Sequence, residues 1–128
     1  MQALQNYKQV AVTTQNQGRL IIMLYDGAIR FLRQARIAIQ NREYQKRNSN
    51  IQRAQEIIFE LNASLNMELG GEISKRLRSL YTFIWGRLNQ VNTKNDIVLL
   101  DRLTGILETL AGAWRHISPE TIPAAPET

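Results

Sequence analysis

From Leu20 onward apolar residues recur three or four positions apart, at Leu20, Leu24, Ala28, Phe31, Leu32, Ala35 and Ile39. That spacing gathers them on one helical face, with Arg30, Arg33 and Arg36 between them, whereas a strand would alternate strictly. Thr14 and Gln17 have the spacing of a capping box, so a helix is expected from near Asn16 to about Asn41. The pair Asp26-Gly27, which in isolation signals a hairpin turn, then lies inside that helix. A glycine there costs up to about 1 kcal/mol against alanine, which implies that something packs closely against it.

A second stripe, Ile51, Ala54, Ile58, Leu61 and Leu65, follows the polar stretch NREYQKRNSN, read as a connection, and precedes NMELGG. After Gly70 and Gly71, a third stripe runs through Ile73, Leu77, Leu80, Ile84, Leu88 and Val91 and is expected to end near Asn92, where NTKND offers a stop and a new cap. The fourth, from about Asp96 to His116, carries Leu99, Leu103, Ile106, Leu110, Trp114 and Ile117, with Pro119 just past its end. Four helices joined by short connections predict an all-α antiparallel four-helix bundle over residues 14–117. Residues 1–13 hold Leu4, Tyr7, Val10 and Val12, enough apolar surface to fold back as a flap, while the proline-rich tail, residues 118–128, is expected to be disordered.

Composition narrows the chemistry. The 128 residues make one domain. Cysteine is absent, which removes disulfides and thiolate chemistry, and the one histidine, His116, rules out a multi-histidine metal site. His116 reads as a helix-end residue, Asp26 with Tyr25 as a tie between helices, and GGEI lacks the lysine and the strand of a phosphate loop. No enzymatic signal and no cofactor site survive. No secretory signal and no run of about 18 apolar residues is present, so a chain without membrane insertion is expected to stay where it is made.

The net charge of +5 allows an acidic partner or nucleic acid. Arg30, Arg33 and Arg36 with Lys75, Arg76 and Arg78 are the candidate phosphate surface, but they are interleaved with polar residues as on a solvated face. Ile22, Phe59, Phe83, Trp85 and Val98 fall off the core stripes and either thicken the core or line exposed grooves for an amphipathic partner. Gly27, Gly86, Gly105 and Gly112 would let a second backbone approach, or would serve packing between the bundle's own helices.

The ordered set LYDGAIRFL, ELGGEI, LYTFIWGRLNQVN and AWRHISP resembles the flagellin export chaperone family of the FliS type, along nearly the whole chain. Matching positions include Tyr7, Tyr25, Asp26, Gly27, Gly70, Gly71, Tyr81, Arg87, Asn92 and Trp114, with a departure at Trp85 and Gly86. The resemblance implies a cytoplasmic bundle that binds the disordered C-terminal segment of flagellin, prevents its premature polymerisation and supports delivery to the flagellar type III export gate. It also implies that the N-terminal segment, through Leu4 and Tyr7, covers part of that site when it is empty. Together with these two, Ile22, Phe59, Phe83, Trp85 and Val98 form the expected flagellin-binding groove. Other flagellar regulators are further candidate partners, and a monomer or weak homodimer is expected. A helical adaptor for another amphipathic segment, or a basic nucleic-acid-associated bundle, remain the alternative readings.

Overall fold

The computed structural model describes residues 17–121, with side chains as far as residue 117. Its four helices are α1 (Gln17–Gln40), α2 (Tyr44–Ala63), α3 (Met67–Lys94) and α4 (Ile97–Thr121). Leu4, Tyr7, the capping pair's Thr14 and the segment beyond Thr121 lie outside the described residues.

Local chemistry accounts for most of the helix ends. Arg42 takes the left-handed conformation (φ 58), and the Glu43 N–H bonds back to the Ala38 carbonyl at 2.8 Å, so three residues suffice to turn the chain. α2 therefore starts at Tyr44, seven residues before Ile51, and most of the expected connection is helix. Its polar first turns are held from outside the core. Lys46 pairs with Glu43, the Arg47 guanidinium lies 4.8 Å from the Tyr44 ring, and Arg47 Nη1 donates to Asn95 Oδ1.

The ELGG corner divides α3. Asn66 Oδ1 accepts from the Leu69 N–H at 2.9 Å and caps a single turn, after which Gly71 leaves the helical region altogether (φ 51, ψ −124). Only glycine takes that conformation without strain. Gly70 is required for space: a Cβ there would come within 1.8 Å of Ser74 Oγ, which donates to the Asn66 carbonyl and spans the kink. Helix thus begins before the glycine pair, whereas the third stripe was expected to start after it. α3 closes on Asn95 in the left-handed region (φ 53), and Asp96 Oδ1 accepts the Leu99 N–H at 3.0 Å to cap α4. α4 continues to Thr121, past the expected end near His116. Pro119 removes one backbone bond close to a helix terminus, where the last carbonyls are unpartnered in any case.

α1 is the central helix. It packs most closely on α2, then on α4; α2 packs on α3; and α3 meets α4 least of the four neighbouring pairs. Partner numbers rise on one helix as they fall on the other, in Asp26–Arg115, Arg33–Glu108 and Arg36–Asp101 between α1 and α4. Neighbours are therefore antiparallel, as expected. The core joins Leu24, Tyr25, Ala28, Leu32 and Ala35 of α1 to Ile51, Ala54, Ile58 and Leu61 of α2, Tyr81, Ile84, Leu88 and Val91 of α3, and Leu100, Leu103, Leu107 and Ala111 of α4.

Two expectations about core faces need correction. On α4 the fully buried residues are Leu100, Leu103, Leu107 and Ala111, while Leu99, Ile106, Leu110 and Trp114 are only partly buried and Ile117 is exposed. The burying stripe is turned by one residue, because α4 docks on α1 rather than midway between its two neighbours. On α3, Ile73 is 69% exposed, since the kink at Gly71 carries the start of that stripe away from the core. Among the described residues no helix is long and apolar enough to cross a membrane.

Candidate functional site

The rotation of α4 leaves apolar surface only partly covered by the described residues. Taking Leu107 as the core direction and about 100° per residue, Asp101, Glu108 and Arg115 lie on the α1 side, where they form ion pairs. Leu99, Ile106, Leu110 and Ile117 lie on the opposite flank, toward α3. On α3, Gln55 Nε2 of α2 donates to the Trp85 carbonyl and to Asn89 Oδ1, both at 2.9 Å, which marks the α2 side. The other flank carries Leu80 and Phe83, with Leu77 near its inner edge. Leu77 and Leu80 are partly buried and Phe83 is 46% exposed. Because α3 and α4 barely meet, these two apolar flanks face each other across an open cleft.

A cavity of about 390 Å³ opens at the end of the bundle where α1 begins. Ile21 of α1, Leu61 and Leu65 at the end of α2, Ile73 and Leu77 of α3 and Trp114 of α4 form its apolar walls. Tyr81 lies at its base and shares a hydrogen bond between hydroxyls with Tyr25, their ring centroids 6.4 Å apart. Burial raises both hydroxyls above their ordinary value of 10.0, and at Tyr81 the neighbouring Tyr25 adds to the rise. The two hydroxyls therefore stay neutral and satisfy each other in the core. Gln17 and Gly18, the first residues of α1, also line this cavity.

The residues predicted for the site divide between two flanks. Phe59 and Trp85 come together in a second, smaller groove between α2 and α3, of about 150 Å³, with Ile58, Asn62 and Thr82. Phe83 sits about 200° of helix rotation from Trp85 and belongs to the α3–α4 cleft, under the Arg87 guanidinium, which lies 5.4 Å from its ring. Val98 is 65% exposed on the first turn of α4, on the outer side of that helix. Ile22 is half-buried on α1. Sequence reasoning missed the cleft residues Leu80, Leu99, Ile106 and Leu110 by assigning them to the core. The signal for them was present in the doubled apolar pairs Leu99-Leu100, Ile106-Leu107 and Leu110-Ala111, which make an apolar arc wider than one neighbour can bury.

The basic residues do not form one surface. Arg33 and Arg36 are engaged with Glu108 and Asp101 of α4, and Arg36 is bidentate at 2.8 and 3.1 Å. Arg30 lies over the Phe31 ring, and Lys75, Arg76 and Arg78 are on α3, which is not a neighbour of α1. Gly27 packs closely, since a Cβ there would lie 3.2 Å from Ile57 Cδ1, whereas Gly86, Gly105 and Gly112 face open space.

A bundle with a partly exposed apolar cleft can hold an amphipathic segment, and the comparisons with known proteins give the chain its family. The family model described as "Flagellar protein FliS" matches residues 1–121. The flagellar secretion chaperone FliS of Bacillus subtilis is 38% identical over 118 residues, 89% of this chain and 87% of that protein. Its namesake in Vibrio cholerae is 36% identical over 122 residues, 92% of this chain and 90% of that one. In Salmonella typhimurium the figure is 36% over 111 residues, 86% and 82% of the two chains. Matches of that extent, running through all four helices, mean that the chain belongs to the FliS family.

Proposed function

We propose that this protein is a cytoplasmic export chaperone that binds the C-terminal segment of flagellin along the α3–α4 cleft. It thereby keeps the segment from polymerising early and supports its delivery to the flagellar type III export gate. The observation that carries the reading is the apolar lining of Leu80, Phe83, Leu99, Ile106 and Leu110, of which Phe83 is exposed and the others are only partly buried between the two helices that meet least. A client that is disordered alone and helical when bound would lay its apolar stripe there and so hide the surface through which it assembles. Phe59 and Trp85 would take a further stretch of the same wrapped client, while Val98 and Ile22 contribute less.

The N-terminal segment, through Leu4 and Tyr7, would act as an internal competitor. The place of Gln17 and Gly18, the first residues of α1, in the wall of the end cavity supports this role; the segment would shield apolar surface, and the need to displace it would lower the apparent affinity for client.

Calorimetric titration with a peptide spanning the C-terminal segment of flagellin from the same cell tests the proposal. A one-to-one complex with a negative heat-capacity change is expected from the apolar burial. Absence of binding to the folded bundle would overturn it. Removal of residues 1–13 should raise client affinity and reduce solubility; a truncated chain unchanged in both would rule out the flap.

A further inference from the structure

The charges around the cleft are sorted by sign. The α4 carboxylates Asp101 and Glu108 both lie on its α1 side, where Arg36 and Arg33 engage them, and Arg102 stands exposed on the rim of the other flank. Along α3, Arg76, Leu80, Phe83, Arg87 and Lys94 follow a three-, four- and seven-residue spacing and share the cleft flank. Glu72 is the carboxylate on that flank, and Arg76 is already beside it. At the α3–α4 turn, Asp96 is occupied as the cap of α4 and as acceptor from Gln90. Among the described residues Arg87, Lys94 and Arg102 have no carboxylate partner, and Arg87 contacts only Gln90 and the Phe83 ring. The cleft is thus an apolar trough with cations on both banks.

We infer that the segment held in this cleft is an amphipathic helix whose apolar stripe is flanked by acidic residues, read by Arg87 and Lys94 on one bank and Arg102 on the other. The inference rests on the cleft being the client site and specifies the chemistry of the client. Charges on the rim steer encounter and exclude wrongly charged segments more than they deepen affinity, so the selectivity is salt-dependent. A lysine-flanked helix of equal apolarity meets like charge on both sides.

The test uses the full chain and two synthetic peptides with the same leucine stripe, one flanked by glutamate and one by lysine, titrated at low and high salt. The glutamate peptide should bind roughly tenfold more tightly at low salt, with the gap closing as salt is raised. Arg87→Glu combined with Arg102→Glu should reverse the order. Arg53→Glu, on the α1–α2 edge over the Phe31 ring, should leave it intact, and circular dichroism checks that each variant is folded. Equal binding of both peptides, or a preference untouched by the double reversal, overturns the charge reading while leaving the cleft standing. Failure of both peptides to bind overturns the cleft as well.

Discussion

Tyr25, Asp26 and Gly27 are consecutive, and each meets a different helix: Tyr25 bonds Tyr81 of α3, Asp26 pairs with Arg115 of α4, and Gly27 lies against Ile57 of α2. Steps of about 100° per residue turn three successive side chains toward three different helices. Losing one hydroxyl of the tyrosine pair strands the other in the core. Tyr81→Phe should therefore cost about 1–3 kcal/mol in urea unfolding, and the Tyr25→Phe/Tyr81→Phe double variant less than the sum of the singles. Unfolded tyrosines release their protons near 10 and the folded pair later, so above that pH the unfolded state holds fewer protons than the native one. Stability is complete below pH 10 and falls as pH rises beyond it; the double variant should fall less steeply, and equal slopes would remove the pair from the account. At the kink, Gly71→Ala forces an L-residue to φ 51 and should lower stability by about 1–2 kcal/mol, whereas an exposed helical glycine such as Gly86, with open space around it, should gain from alanine.

At the scale of the helix, the two apolar faces of α4 have different tasks. Leu100 is fully buried, and Leu100→Ala should cost about 2–5 kcal/mol. Ile106, partly buried on the open flank, should cost markedly less on truncation to alanine yet weaken client binding; a stability loss equal to that of Leu100→Ala would place it in the core. This pair also shows what could be read from the sequence. Local signals such as the Asp96 cap, the Asn95 stop and the stripe of α1 were legible because a few adjacent residues determine them. The first turns of α2, Tyr44–Asn50, carry almost no apolar period, so nothing local distinguished them from a loop. In α4 the doubled pairs leave the direction of burial ambiguous by one residue. The choice is made by how α4 docks on α1, residues more than sixty positions away, which the ion pairs between them register. Phe59, Phe83 and Trp85 were legible as surplus apolar residues, but their division between two grooves depends on where α2 and α4 stand around α3.

At the scale of the whole bundle, the decisive feature among the described residues is a ring of four helices in which three neighbouring pairs pack closely and the fourth, α3 with α4, meets least. The closed sides bury enough to hold the bundle, and the open side presents apolar surface that a monomer rarely leaves uncovered without use. Membership in the FliS family and the open cleft come from independent observations, the first from residue identity and the second from packing. The function proposed requires client binding in that cleft. It is tested most directly by methyl-resolved NMR of the isoleucine and leucine side chains during titration with the flagellin C-terminal segment. Shifts concentrated at Leu77, Leu80, Leu99, Ile106 and Leu110, with Ile39 and Ile51 unmoved, are the expected result. Shifts confined to Ile58 and its surroundings beside Phe59 and Trp85, with the α3–α4 methyls silent, would contradict it.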